Sequence, residues 1–178
     1  PVDLLIEWQD ENIIGSLNPV RDGVLIPQSV GRAFAEGNIH GVDYLAGATD
    51  WEASLIAGVA IPPMAILALV SDLDSVRAAY PGLDDAALAQ AWFADNTFVG
   101  PARFLAHEHA RHEKGRTWLY SFEYVAEAVR GSVPGAAHSN DVPYVFESLP
   151  GKNRGLAPED ISDSDRAFAA LMADYWTQ

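Results

Sequence analysis

The stretch Val42-Asp43-Tyr44-Leu45-Ala46-Gly47-Ala48-Thr49-Asp50-Trp51-Glu52 decides the fold class of this chain. Its first part, Val42 to Ala48, is short, mostly apolar and flanked by glycine, which is typical of a buried parallel strand. The carboxylate of Glu52 follows just past this strand. Because ligands and catalytic groups in open α/β sheets lie at the carboxyl ends of the strands, we expect Glu52 at a functional edge of the sheet. The spacing taken alone favours another interpretation, in which Glu52 caps the helix that follows.

A second strand is predicted at Thr117 to Tyr124, where TWLYSFEY is rich in aromatic and β-branched residues. Residues 53–114 form a mainly helical segment between the two strands, with helices expected at Ala86 to Phe93 and at Gly100 to Lys114. A last helix is expected at Arg166 to Trp176. Strands that alternate with helical blocks predict an α/β fold. Two strands are few for a parallel sheet, so we expect further strands to come from elsewhere.

The residues ahead of the first strand carry weaker signals. Residues 1–11 mix apolar and acidic side chains and are interpreted as a frayed helix end. Asn18 to Gly23 is a turn cluster with Asp-Gly as its strongest local signal. Val24 to Pro27 is predicted to be a short extended run, and Ser29 to Glu36 a helix that Gly37 ends.

A histidine lies in a loop of small residues after the second strand, in the segment Gly135-Ala136-Ala137-His138-Ser139-Asn140-Asp141-Val142-Pro143-Tyr144-Val145-Phe146. An imidazole titrates near neutral pH, so His138 is a candidate general base. Small neighbours would let a substrate and a nucleophile approach it. The alternative is a loop histidine that is bonded to the backbone. Asp141 is interpreted as a structural carboxylate that anchors the loop.

Together these two segments resemble a known family. Glu52 in the setting G-x-x-x-x-E, and His138 in G-A-x-H-x-x-D-x-P-Y-V-F, are similar to the acid and histidine segments of type-B carboxylesterases. This group includes bacterial para-nitrobenzyl esterases and the cholinesterases. Other segments of the chain agree with the family in the same order: Pro19 to Gly23 with Pro27, Pro101-Ala102-Arg103, Tyr120 to Tyr124, Asp165-Arg166 and Trp176. The resemblance covers nearly all of the chain.

The resemblance implies the C-terminal part of an α/β-hydrolase fold, with few parallel strands and a large helical insertion. It also implies a Ser…Glu…His triad in that chain order, which hydrolyses carboxylic esters. Glu52 would be the acid that orients the histidine, and His138 the base. Trp51, Leu55 and Ile56 would line the acyl pocket of a small-molecule ester.

The chain departs from the family pattern in two respects. Ala53 follows Glu52, where family members commonly have glycine. No G-x-S-x-G occurs, since Gly131-Ser132-Val133-Pro134-Gly135 places its serine wrongly. We therefore expect the nucleophile in a missing N-terminal part, and this chain to be inactive when isolated. The alternative is a non-catalytic binding or adhesion protein on the same fold, although such a protein has no chemical reason to keep both Glu52 and His138.

The composition of the chain argues against several binding partners and kinds of site. The formal net charge of −14 repels phosphate backbones and anionic lipid headgroups, so neither nucleic acid nor a membrane surface is an expected partner. The longest apolar stretch, Ala53 to Val70, is interrupted by Pro62-Pro63, which argues against a membrane span. The absence of cysteine excludes disulfides and thiolate sites. It is also compatible with a bacterial cytoplasmic enzyme, as is the excess of arginine over lysine.

No metal or cofactor is expected. The segment His107-Glu108-His109-Ala110-Arg111-His112 does not meet H-E-x-x-H, because Arg111 stands where the second histidine should be. We interpret it as a polar, solvated helix face. Four aspartates lack the alternating ligand loop of a calcium site and are interpreted as helix caps: Asp72, Asp74, Asp84 and Asp85. Residues 1–10 lack a basic secretory leader, and the abrupt end of the last helix suggests a cut.

Overall fold

A computed structural model describes residues 20–57, 61–149 and 156–177. The chain divides into two compact units, residues 1–40 and 41–178, which are described separately. The frayed helix end predicted for residues 1–11 lies outside the described residues.

The first unit contains helix α1, Val30–Ala35. Ser29 caps its amino end, where the hydroxyl accepts a hydrogen bond from Arg32 N–H at 3.4 Å. Gly37 follows the helix with φ of 70°, a conformation that suits glycine at a helix end. The prediction of a short helix ended by Gly37 is confirmed.

The extended run predicted at Val24 to Pro27 is wrong. The carboxylate of Asp22 accepts hydrogen bonds from the N–H groups of Val24 and Ile26, at 3.0 and 2.9 Å. The N–H of Gly23 donates to the Ile26 carbonyl at 3.3 Å. An aspartate that bonds to nearby backbone in this way offers the chain a turn in place of a strand.

The second unit is built on two parallel strands, β1 at Tyr44–Thr49 and β2 at Thr117–Phe122. Their register pairs Tyr44 with Thr117 and Thr49 with Phe122, so both strands end at the same edge. The segments that carry Glu52 and His138 both follow this edge. Gly47 lies against the Tyr120 ring, and a Cβ there would fall 2.4 Å from a ring carbon, so this close approach requires glycine.

Helices make up most of the described residues between the two strands. Asp72 and Asp84 each cap a helix by accepting a backbone N–H, from Ser75 at 3.1 Å and from Ala87 at 2.9 Å. A single π-helical turn, Asp95–Val99, joins the last two helices into one continuous rod. The helices of this segment are α2 Ser54–Ala57, α3 Pro63–Leu67, α4 Leu73–Ala79, α5 Asp85–Ala94 and α6 Gly100–Arg111.

Among the described residues, two α-helices follow β2: α7 at Asp141–Val145 and α8 at Asp163–Thr177. The described residues contain two apolar clusters. One lies within the helical segment and is formed by Ala53, Ile56, Ile66, Leu67, Leu88 and Ala89. The other packs β2 and the histidine loop, residues 123–140, against α7 and α8. It is formed by Phe122, Ala136, Tyr144, Ala169 and Met172. The second cluster ties the C-terminal helix to the segment that carries His138.

The interpretation of residues 107–112 as a solvated face is wrong for His109, whose side chain is 1% exposed. Its ring stacks on Tyr44 with centroids 5.2 Å apart. Its Nε2 lies 3.0 Å from the Val42 carbonyl, and its Nδ1 lies 2.7 Å from the Thr117 hydroxyl. Because α6 packs over β1, one side of the helix faces the sheet, and this histidine bonds to the start of β2 and to the residue two positions before β1.

Asp165 is a buried carboxylate at the start of α8. It accepts hydrogen bonds from the Tyr124 hydroxyl at 2.8 Å, from Ser162 N–H at 2.9 Å and from Glu127 N–H at 3.2 Å. The Ser162 hydroxyl accepts from Asp165 N–H at 3.1 Å, which completes a reciprocal helix cap. Burial alone would raise the pKa of Asp165, but these hydrogen bonds together hold it below its ordinary value.

We expect Asp165→Ala to lower the free energy of unfolding by about 2–4 kcal/mol, because three donors lose their acceptor. A lowered folded-state pKa stabilises the protein above the ordinary aspartate pKa of about 3.9, and this contribution is lost as pH falls through the folded-state value. The difference between variant and wild type should therefore shrink in acid. Urea unfolding at neutral and acidic pH measures it, with exposed Asp163→Ala, in the same helical turn, as the control expected to lose under about 1 kcal/mol.

Candidate active site

Glu52 lies just beyond β1, in a turn that is held to the second strand by a 3.0 Å hydrogen bond from Asp50 N–H to the Phe122 carbonyl. Its side chain is buried. One carboxylate oxygen, Oε1, accepts Thr49 N–H at 2.7 Å. The other, Oε2, lies 2.5 Å from Nδ1 of His138. Both oxygens thus have partners outside α2, so the interpretation of Glu52 as a cap for that helix is not supported.

The structure brings Glu52 and His138 together across 86 residues of sequence. The His138 side chain is 30% exposed, whereas that of Glu52 is 5% exposed. An ionised carboxylate only accepts hydrogen bonds, so the pairing assigns the imidazole hydrogen to Nδ1 and leaves Nε2 as the basic nitrogen. A buried acid behind a partly exposed imidazole is the geometry that lets a histidine take a proton from an approaching hydroxyl.

Three further hydrogen bonds join the two loops, and the sequence analysis missed the side chains involved. Ala136 N–H donates to the Asp50 carboxylate at 2.6 Å, and Trp51 N–H donates to the Ala136 carbonyl at 3.1 Å. His138 N–H donates to the Ser54 hydroxyl at 2.7 Å. These partners are more than 80 residues apart in sequence, so no local pattern could have found them.

Phe98 was also missed. It lies in the π-helical turn, and its ring is tilted against the His138 imidazole with centroids 4.7 Å apart. In this turn the Gly100 N–H donates to the Asp95 carbonyl, and a Cβ at Gly100 would fall 2.7 Å from that oxygen. Such turns are rare and frequently occur at functional sites. A helical stretch interrupted by glycine was the one local signal available.

Asp141 opens α7, and its carboxylate accepts a 2.7 Å hydrogen bond from the Tyr120 hydroxyl. Burial raises the pKa of Tyr120, and the bond to Asp141 raises it further, so the phenol stays protonated as a donor. The pair therefore connects the middle of β2 with the residues just after the histidine.

The three residues predicted to line an acyl pocket differ in their surroundings. Ile56 is buried in the core of the helical segment, and Trp51 packs against the same core. Leu55 is 44% exposed, which is the largest exposed fraction of the three. A role in binding an acyl group stays a prediction for each of them.

A cavity of about 470 Å³ lies between the sheet and the helices α5 and α6. The carboxyl end of β1 contributes Thr49 and Asp50 to its wall, and the helical side contributes Asp95 and Arg103. The hydroxyl of Thr49 is buried and has no hydrogen-bond partner among the described residues.

Within residues 20–57, 61–149 and 156–177, no cluster of three or more histidines, aspartates and glutamates is arranged to hold a metal ion. Over the same ranges, no helix has the length and apolar character needed to cross a bilayer.

Comparison with known proteins adds four findings. The model of the family described as "Carboxylesterase family" matches residues 84–178. Human neuroligin-3 is 32% identical over 88 residues, which are 49% of this chain and 10% of the neuroligin. Among solved structures, a PNB esterase aligns with a TM-score of 0.73 at 20% identity, over 99% of this chain and 38% of the esterase. EstA from Aspergillus niger aligns with a TM-score of 0.69 at 22% identity, over 89% of this chain and 34% of EstA. The chain thus spans about a tenth of that neuroligin and little more than a third of those esterases, whose α/β-hydrolase fold it shares.

Proposed function

The chain belongs to the carboxylesterase family, and on that premise we propose that it takes part in hydrolysis of carboxylic esters by a Ser-Glu-His triad. The observation that carries this proposal is the pairing of buried Glu52 with partly exposed His138. In the proposed triad, Glu52 acts as the acid and His138 as the base.

The chemistry follows from the tautomer that the pair selects. His138 Nε2 takes the proton of a serine hydroxyl as the serine oxygen attacks the ester carbonyl. The same nitrogen then gives the proton to the departing alcohol, and water hydrolyses the acyl-enzyme by the same sequence of transfers. Glu52 keeps the hydrogen on Nδ1 and stabilises the imidazolium formed in each step, while Thr49 N–H holds the second carboxylate oxygen in place.

The proposal places the nucleophilic serine outside these 178 residues. The chain has no G-x-S-x-G motif, and Ser132 is exposed in a turn where its hydroxyl donates to the Val129 carbonyl at 2.6 Å. That serine lies in no strand-to-helix elbow. An N-terminal part that carries the nucleophile is therefore the proposed partner of this chain.

Two features of the described residues support the proposal that another part of the protein packs against this sheet. Parallel sheets are normally covered on both faces, yet the two strands leave Leu45, Trp118 and Leu119 between 38% and 50% exposed. The buried Thr49 hydroxyl has no partner among the described residues, and an unsatisfied buried hydroxyl costs about 1–3 kcal/mol. Helices packed on the open faces of the sheet would cover these side chains, and a neighbouring element could offer the Thr49 hydroxyl a hydrogen-bond partner.

The proposed substrate is a small-molecule carboxylic ester. Trp51, Leu55 and Ile56 remain the proposed contributors to its acyl pocket, with Leu55 the most exposed. The net charge of −14 does not disfavour neutral or cationic esters.

A fluorophosphonate probe, followed by intact-mass spectrometry of the purified protein, tests the proposal. We expect one probe adduct on a serine outside residues 1–178, and no adduct within them. Labelling should disappear in His138→Gln, because the serine is no longer activated. An adduct that forms equally well in that variant would contradict the proposed triad, and a complete protein that never reacts would favour a non-catalytic binding protein on the same fold.

A further inference from the structure

The histidine loop is fixed just ahead of His138 by a carboxylate that is not one of the triad. Ala136 is fully buried, and its N–H donates to the exposed Asp50 side chain at 2.6 Å. Hydrogen bonds from backbone N–H to an ionised carboxylate are stronger than those between neutral groups. Removal of the acceptor would leave a buried amide without a partner, which is costly.

Gly135 makes this contact possible. A Cβ at Gly135 would fall 2.6 Å from the Asp50 carboxylate oxygen that accepts the bond. The φ of Gly135 is not in the left-handed region, so its backbone would accept another residue. The close approach of Asp50 therefore explains why position 135 is a glycine.

The position of His138 depends on this attachment. Residues 123–134 lie between the end of β2 at Phe122 and Gly135, and they contain only one short helical turn, Glu127–Val129. Ala136 packs in the apolar cluster with α7 and α8, and hydrogen bonds then hold the loop beside Glu52. Three bonds from the Glu52 segment do so, and Asp50 supplies the one that is charge-assisted.

We propose that Asp50 is a positioning residue for catalysis, which holds Gly135-Ala136 through its carboxylate and thereby sets His138 Nδ1 against Glu52. This inference rests on the proposed function. Asp50 acts through the backbone of the histidine loop and not through contact with the substrate.

The chain offers a matched control at the other end of the same strands. The Asp43 carboxylate accepts the N–H of Arg116 at 2.9 Å, so it too bridges the two strand segments through a backbone amide. It lies at the amino ends of the strands, remote from Glu52 and His138. Asp43→Ala removes a bond of the same kind and leaves the site alone.

The test measures ester hydrolysis and labelling by the fluorophosphonate probe in the complete protein. Asp50→Ala should lower kcat by roughly 10- to 100-fold with little change in KM, since a displaced base costs rate more than binding. Asp50→Asn should recover most of that loss, because its amide oxygen can accept the same N–H. Asp43→Ala should lower the melting temperature without lowering kcat.

A second variant keeps the inference falsifiable if Asp50→Ala folds poorly. Gly135→Ala should lower kcat in the wild-type protein, because its methyl group displaces the carboxylate, yet add nothing in the Asp50→Ala background. Equal losses in Asp50→Asn and Asp50→Ala, or additive losses with Gly135→Ala, would overturn the inference. If the Asp50 variants keep full kcat while His138→Gln is inactive, only this inference fails, and if His138→Gln is fully active, the proposed function itself fails.

Discussion

Replacement of His138 by alanine is expected to lower kcat about 10⁵- to 10⁶-fold in the complete protein, since loss of the histidine alone costs a serine hydrolase nearly as much as loss of the whole triad. The physical reason is that His138 presents the one basic nitrogen of the pair, while the buried Glu52 is held by its own partners. Steady-state ester hydrolysis, read as kcat and KM separately, measures the effect.

The matched control is His107→Ala. His107 lies on α6, and its side chain is 73% exposed, so its removal deletes the same chemical group with little structural cost. We expect wild-type kcat from this variant. Activity of His138→Ala within about tenfold of wild type would remove His138 from the mechanism.

Chemical rescue separates a lost base from a lost fold. The His138 side chain is 30% exposed, and Phe98 borders it with a flat ring. Added imidazole can therefore occupy the space that alanine leaves and take the proton in place of the missing ring. We expect a saturable, partial recovery of kcat in His138→Ala, and none in a variant of the serine nucleophile.

Much of the second unit could be predicted from local sequence. The strand at Val42 to Ala48 appears as Tyr44–Thr49, and the expected helix at Ala86 to Phe93 appears as Asp85–Ala94. These predictions succeed because apolar content, β-branched residues and helix caps act over a few neighbouring residues. The helix predicted to run from Gly100 to Lys114 ends earlier in the structure. This helix, α6, ends at Arg111, and the backbone turns to φ of 52° at Glu113.

The surroundings of a side chain could not be predicted in the same way, because residues distant in the sequence form them. Whether His109 faces water or the sheet depends on how α6 packs over β1, and its bond to the Val42 carbonyl spans 67 residues. Asp50 looks like any exposed aspartate after a strand, yet its partner Ala136 is 86 residues away. Resemblance to the family predicted Glu52 and His138. The side chains that hold their loops, Asp50 and Ser54, were identified only from the hydrogen bonds in the folded structure.

Glu52→Gln, which changes one atom type and almost no volume, is expected to lower kcat about 10⁴-fold, the size of effect seen when the acid of such a triad becomes an amide. The hydrogen bonds around Glu52 explain why. Thr49 N–H donates to Oε1 at 2.7 Å, and a backbone donor cannot reverse its role. The amide oxygen of glutamine must therefore face Thr49, which turns the NH₂ group towards His138 Nδ1.

An NH₂ group donates, so it forces Nδ1 to become the acceptor and moves the imidazole hydrogen to Nε2. In that tautomer Nε2 has no lone pair for the serine proton, and the base is lost although the ring stays in place. The ¹⁵N chemical shifts of the His138 ring should show the hydrogen on Nδ1 in the wild type and on Nε2 in Glu52→Gln. Glu52→Asp should keep the Nδ1–H tautomer and lose less activity. If Glu52→Gln keeps both the wild-type tautomer and the wild-type kcat, Glu52 does not orient the histidine.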